Sequence, residues 1–367
     1  MKIYAYTIPM NESFYFDYAI SGLRKNDHTV ILKNQKQSRI AEIELCKHYD
    51  FDFIFFYGFS FMNHIRHQYN GESFFLPDAL KKPFVVHWCD DPRRYMFDLD
   101  FVKEMPYTFF VCDSVLVEEL RKDGFERTYY LPTMFDPDIQ FPSGIHKDYE
   151  CDVAFAGTIF DNKTLIKNRN GLGPNDNKIL DEIRTKRTKG RYLDYIEELL
   201  FRHPLQNYNQ LLQCALIEQK HDLRMDVFNT LKDFKLSVYG QGDGQLEDFP
   251  NFYKGRNLDQ HHELPYLYGS SKVSLTIELL PSSVHQRIME CCGCGGFILA
   301  EDKADMAQCF DEFVVWSSLD ELKDKVSFYL KNESERKKMA NSMHQHVLAR
   351  HTAEIRMKEM IEQWKKT

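Results

Sequence analysis

Twice along this chain a series of short apolar runs alternates with stretches of helical periodicity, and a proline-bearing segment separates the two series. In the first series, residues 2–8, 29–32, 51–57, 84–88, 109–111 and 128–130 read as strands, and residues 14–25, 40–48 and 115–122 as helices. Apolar strands interleaved with helices predict βαβ units around a parallel sheet. Residues 131–149 then lose all periodicity. They hold Pro132, Pro137 and Pro142 with Ser143-Gly144 behind them, as an inter-domain linker does.

The second series starts with a strand at 153–155 that runs into Ala156-Gly157-Thr158. A helix-rich insertion over about 176–231 follows, broken near His203-Pro204. Strands at 235–239, 273–277, 297–300 and 314–316 and helices at 284–292, 318–331, 333–349 and 352–366 complete it. With 367 residues the chain suits two domains, each with its own core. The reading is therefore α/β, with two doubly wound, Rossmann-like domains facing across a cleft. Residues 1–140 form the first and 141–350 the second, and 351–367 form a last helix that crosses back, with Trp364 as its anchor. Open α/β sheets bind ligands outside the carboxyl ends of their strands.

Composition narrows the function. Hydrophobic residues at 43% and charged residues at 28% exclude extensive disorder. A net charge of −8 argues against a protein held on nucleic acid by global charge, because such binding neutralises phosphates. The nine cysteines are odd in number and irregularly spaced, so they read as buried, reduced thiols of a cytoplasmic protein. The tight group Cys291-Cys292-Gly293-Cys294 has no second CxxC or HxxxH pair beside it, which leaves the metal expectation at none. The start of the chain lacks a signal-peptide apolar region, and the longest apolar run, 51–62, is interrupted by Asp52 and Gly58.

The segment 266–302 carries the chemistry: strand, loop, helix, glycine turn, strand. Ser282 or Ser283 suits the helix N-cap, and uncapped amides at a helix start favour a diphosphate. Arg287 and Glu290 are three residues apart and share a face. An arginine there suits a phosphate, and a carboxylate one turn deeper suits the two hydroxyls of a ribose. Two such residues can also pair with each other on a surface. The apolar, glycine-rich run 291–300 instead makes this a buried helix, on which a charged pair needs a use.

FAGTIF at 155–160, SVYG at 237–240, YLYGSSKVSLTI at 266–277, HQRIMECCGCGGFILAED at 285–302, SLDELKDKVSFYL at 318–330 and HTAEIRMKEM at 351–360 follow in order. Over roughly residues 150–362 the chain resembles the group-1-like glycosyltransferases of the CgeB (spore-maturation) type. VVHWCDDP at 85–92 and YYLPTMFDP at 129–137 extend the resemblance weakly into the first half. It implies the GT-B fold and transfer of a sugar from a nucleoside diphosphate sugar, a UDP-sugar as first guess, without a metal. The first domain would hold the acceptor and the second the donor.

By the same resemblance Glu290 holds the ribose, and Arg287 with the preceding amides the diphosphate, in a stretch that starts at His285. Gly157 and Thr158 line the pocket, and Tyr239-Gly240 approach the base. Related retaining enzymes carry two glutamates separated by seven residues; here Ser282 stands at the first position, which leaves the stereochemical course open. Lys163, Lys167 and Arg169, read as a loop after the first strand of the second domain, are candidates to steady the diphosphate, with Arg256 a further one. On the acceptor side, His87, Asp90 and Asp91 end an apolar strand and are the candidate bases; consecutive strand residues point opposite ways, so one of the two aspartates faces the acceptor. Asn11, Glu12 and Ser13 are further acceptor-side candidates. A glycan or protein ranks above DNA as acceptor. A sugar-nucleotide epimerase and a non-catalytic nucleotide-sugar-binding protein are the competing readings.

Overall fold

The structure is a computed structural model that describes residues 1–6, 13–33, 44, 47–48, 50–58, 68–69, 72–73, 77, 80–92, 100–159, 162–185, 208–240, 252–278 and 280–367. It divides into two compact units. One comprises Met1–Ile139, Ser282–Val284 and Ala349–Thr367, the other Gln140–Pro281 and His285–Leu348.

The first unit is built on strands β1 (Lys2–Tyr6), β2 (Thr29–Leu32), β3 (Phe53–Tyr57), β6 (Phe84–Trp88), β7 (Tyr107–Val111) and β8 (Thr128–Tyr130); a short hairpin, β4 (Gln68–Tyr69) with β5 (Glu72–Ser73), lies apart from that sheet. The six strands run parallel in the order β2-β1-β3-β6-β7-β8. Every residue of β3, β6 and β7 is buried, as expected of strands covered on both faces, and this is why they read as unbroken apolar runs. Helices α1 (Ser13–Lys25) and α2 (Ser114–Lys122) follow β1 and β7. Leu23 and Ile20 of α1 share a core with Phe53 and Phe55, and with Met357 and Ile361 of the last helix, α10 (Ala353–Trp364). The Trp364 ring lies 4.7 Å from that of Phe53. Gly22 permits the α1–α10 approach, since a Cβ there would stand 2.2 Å from the carbonyl oxygen of Ala353.

The second unit has five parallel strands in the order β10-β9-β11-β12-β13. They are β9 (Cys151–Ala156), β10 (Leu236–Tyr239), β11 (Ser271–Leu275), β12 (Ile298–Glu301) and β13 (Val315–Trp316). Chain order reverses direction across the sheet between β9 and β11, so the loops leaving these two strands diverge there. Helices α3 (Asn162–Arg169), α4 (Pro174–Thr185) and α5 (Tyr208–Leu231) lie between β9 and β10. The break expected near His203-Pro204 lies outside the described residues, as does most of the helix expected at 40–48. Val227, Phe228 and Leu231 of α5 pack on Phe155 and Val238. α6 (Leu264–Ser270), α7 (Gln286–Gly293), α8 (Leu319–Lys331) and α9 (Glu333–Arg350) follow, with one further turn of helix at Met306–Cys309. No described helix is long and apolar enough to cross a membrane.

Candidate functional site

The helix after β11 starts later than its sequence suggests. Its N-cap is His285, neither Ser282 nor Ser283, and α7 begins at Gln286 rather than Val284. The physical reason is a competing acceptor within the first unit. The amides of Ser282 and Ser283 donate to Asp113 Oδ2 at 2.8 and 2.9 Å, and the Ser282 hydroxyl donates to Asp113 Oδ1 at 2.7 Å. Asp113 is fully buried and also caps α2 by accepting from the Leu116 amide at 3.0 Å. With both serines engaged there, the imidazole takes the cap.

His285 Nδ1 accepts from the Arg287 amide at 3.1 Å, and its Nε2 lies 3.0 Å from Glu278 Oε2. A ring nitrogen that accepts an amide proton carries none itself, so the neutral tautomer with Nε2–H donating to Glu278 satisfies both contacts. Burial pushes the imidazole down to about 4; the Glu278 carboxylate opposes that shift, and Arg287, Lys220 and Arg224 reinforce it. The Ile288 amide bonds the His285 carbonyl at 2.9 Å. Two first-turn amides of α7 are therefore engaged within the protein.

One turn on, Glu290 has no exposed surface. Its Oε2 accepts from Arg287 Nη1 at 2.8 Å and from the Tyr268 hydroxyl at 3.0 Å, while its Oε1 is buried without a hydrogen-bond partner among the described residues. Burial first, and the Glu290 charge second, push the Tyr268 hydroxyl well above its usual range, so it stays a donor. The cysteine-glycine turn ends α7 by a double C-terminal bond pattern. Gly295, at φ +78°, donates to Cys292 O at 2.9 Å, and Gly296 to Cys291 O at 2.8 Å. A Cβ on Gly296 would sit 2.7 Å from Cys291 Sγ, so small residues here serve packing. Among the described residues no group of three or more His, Cys, Asp or Glu converges as a metal site.

At the ends of the neighbouring strands, a Cβ on Gly240 would meet the Gly157 carbonyl oxygen at 2.1 Å, so only glycine lets the two turns close together. Tyr239 is buried, 6.1 Å from the Tyr149 ring, with the Arg256 guanidinium 5.7 Å over it. Arg256 is half exposed and bonds Glu263 at 2.7 Å. Lys163 and Arg169 stand on α3, a helix where the sequence suggested a loop. Lys163 is exposed. Arg169 donates to both oxygens of Glu218 and, at 2.7 Å, to Asp181. Thr158 offers its carbonyl to Arg224, a buried residue of α5 that sequence reasoning passed over. Glu278 and Tyr268 were also passed over. A glutamate just beyond an apolar strand was the legible signal for the first.

In the first unit His87 and Asp91 are fully buried and Asp90 is exposed. His87 Nε2 lies 3.4 Å from the Leu131 carbonyl oxygen, and its ring meets Tyr57 edge-on at 5.3 Å. Ser13 opens α1, while Asn11 and Glu12 lie outside the described residues. Burial pushes the His87 imidazole down to about 4. Below the ordinary histidine value near 6.5 the unfolded chain takes up a proton that the folded chain refuses, until about pH 4. Stability is therefore expected to fall as pH drops through this window, by about 3 kcal/mol from His87. His285 adds less, because about a third of its side chain is exposed. Urea unfolding at pH 7.5 and pH 5 should show about 2 kcal/mol of this loss, and His87→Gln should flatten the difference.

Residues 221–362 match a family model described as glycosyl transferase-like. No curated protein matches the chain. Solved structures do. T4 phage β-glucosyltransferase aligns at 11% identity and TM-score 0.58 over 99% of both chains. Anabaena HepE, solved in complex with UDP, aligns at 10% identity and TM-score 0.53 over 100% of both chains. Sucrose-phosphate synthase from Thermosynechococcus elongatus aligns at 10% identity and TM-score 0.53, over 100% of this chain and 98% of that one. At such identities the likeness establishes the fold, GT-B with two parallel-sheet α/β domains. The chain thus carries, over residues 221–362, a glycosyl transferase-like sequence on that fold.

Proposed function

We propose that the chain is a glycosyltransferase that takes its sugar from a nucleoside diphosphate sugar, a UDP-sugar first, and passes it to an acceptor hydroxyl. The observation that carries the donor assignment is Glu290: a fully buried carboxylate with one oxygen held by Arg287 and Tyr268 and the other without a partner among the described residues. A buried acceptor of this kind calls for a donor, and the two hydroxyls of a ribose supply one. Arg287 aims the carboxylate, and the rest of the nucleotide lies along the turns after β9 and β10, at Gly157, Thr158 and Gly240, where open parallel sheets take their ligands. UDP bound to HepE and UDP-glucose as substrate of the phage enzyme support uridine as the base.

The second unit is accordingly the donor domain, of the CgeB-like subfamily, and the first unit takes the acceptor, with Asp90 the exposed candidate base of the two aspartates. A glycan or a protein suits a chain of net charge −8 better than DNA does, although the phage relative is a DNA-modifying enzyme. The eight described cysteines, none of them joined in a disulfide with another described residue, suit the reducing cytoplasm. A thermal-shift screen with uridine, guanosine, cytidine and adenosine diphosphates tests the donor reading, because a ligand of the folded state raises its midpoint. UDP should give the largest rise, undiminished by EDTA. No rise with any of the four would overturn the assignment.

A further inference from the structure

The amides that a helix start would lend to a diphosphate are largely engaged at α7: Arg287 N bonds His285, Ile288 N bonds the His285 carbonyl, and Ser282 N and Ser283 N bond Asp113. The pyrophosphate group of the proposed donor needs a different counter-charge, and the second unit contains one. Arg224 is 7% exposed. Its Nη1 donates to the Thr158 carbonyl, its guanidinium lies 5.0 Å over the Phe155 ring, and its Nε is buried with no hydrogen-bond partner among the described residues. No carboxylate is hydrogen-bonded to it among the described residues; Glu278 acts on it only as a nearby charge.

The contrast with its neighbours is informative. Arg169 binds Glu218 bidentately, and Arg184 binds Asp222 bidentately at 2.6 and 2.8 Å, both carboxylates coming from α5 itself. Arg224, two residues beyond Asp222 on that helix, turns its head to a glycine turn in place of any acid among the described residues. Taking a guanidinium out of water costs several kcal/mol unless an anion and further hydrogen bonds offset it. One carbonyl and one ring do that poorly, and an orphaned buried donor asks for an acceptor. The location fits: the head lies beside Gly157 at the end of β9, and a Cβ on Gly157 would come 3.6 Å from Arg224 Nη2 and 2.9 Å from the Phe155 ring. A side chain at 157 would press on the Phe155 ring and touch the guanidinium that the glycine turn leaves clear. Burial pushes Arg224 down to about 10, which leaves it fully charged at neutral pH.

We infer that Arg224 binds the diphosphate of the donor through its guanidinium at the Gly157-Thr158 turn. This rests on the donor-site reading of the second unit. Arg169 then has a structural task, joining α3 and α4 to α5, and the basic group serving the diphosphate comes from the helix that precedes β10.

Calorimetric titration of inorganic pyrophosphate, UDP and uridine into the wild-type protein, Arg224→Lys and Arg224→Gln tests this. Arg224→Lys keeps the charge and stem but loses Nε and the planar fork, so it carries the test should Arg224→Gln fail to fold. UDP and pyrophosphate should bind about tenfold more weakly to Arg224→Lys, with uridine changed by less than about twofold. Equal UDP and pyrophosphate binding by wild type and Arg224→Lys would overturn the inference and leave the donor site standing. An equal loss of uridine affinity would overturn it too, marking a structural effect. A wild-type protein that binds none of the three would overturn the donor-site reading and Arg224 with it.

Discussion

Glu290→Gln is expected to weaken UDP binding about 100-fold while the protein stays folded, because a neutral amide replaces the carboxylate proposed to accept both ribose hydroxyls. The amide keeps the side-chain shape and retains an acceptor for the Tyr268 hydroxyl. Glu290→Ala is a harsher change. It strips Tyr268 and Arg287 of their shared acceptor inside a site with no exposed surface at Glu290, at a cost of about 3 kcal/mol on top of the lost binding. Calorimetry gives the first effect and urea unfolding the second. Unchanged UDP affinity in Glu290→Gln would remove the ribose role.

The largest stability loss is expected from Asp113→Ala. The Asp113 carboxylate accepts from three amides, those of Leu116, Ser282 and Ser283, and from the Ser282 hydroxyl, all within the first unit. Removing it uncaps α2 and leaves several buried donors without an acceptor, for about 4 kcal/mol in all. A unit of this size should then melt about 10 °C lower. Asp113→Asn retains the side-chain oxygen for some of these donors but sets an NH2 against the others, and should lie between the two. A loss under about 1 kcal/mol in Asp113→Ala would mean that the serine loop is held by other contacts.

The strands were legible because they are buried on both faces. Phe53–Tyr57 and Phe84–Trp88 read as apolar runs for the same reason that they sit in the middle of a sheet. The Arg287–Glu290 pair was legible because helical spacing alone puts the two on one face, and the apolar turn behind them signalled burial. The start of their helix was not. Ser282 and Ser283 are good N-caps on local grounds, and what takes their amides is an aspartate 169 and 170 residues earlier in the chain. Arg169 looked like a loop cation free for phosphate, yet its ion pair forms with Glu218, 49 residues away on another helix. Arg224 carried no local mark at all. It stands in a 24-residue helix whose sequence shows no clear polar face, and only the packing of that helix against Phe155 brings the guanidinium to Thr158. Local capping and spacing can be read from sequence, whereas the partner that wins a contested hydrogen bond is set by the tertiary fold.

A crystal structure of the protein with UDP bound tests the central claim most directly. The account predicts the uridine ribose on the second unit with a hydroxyl about 2.7 Å from the unpartnered Glu290 Oε1, beside Arg287 and Tyr268. UDP bound with its ribose away from α7, and Glu290 still without a donor on that oxygen, would contradict it.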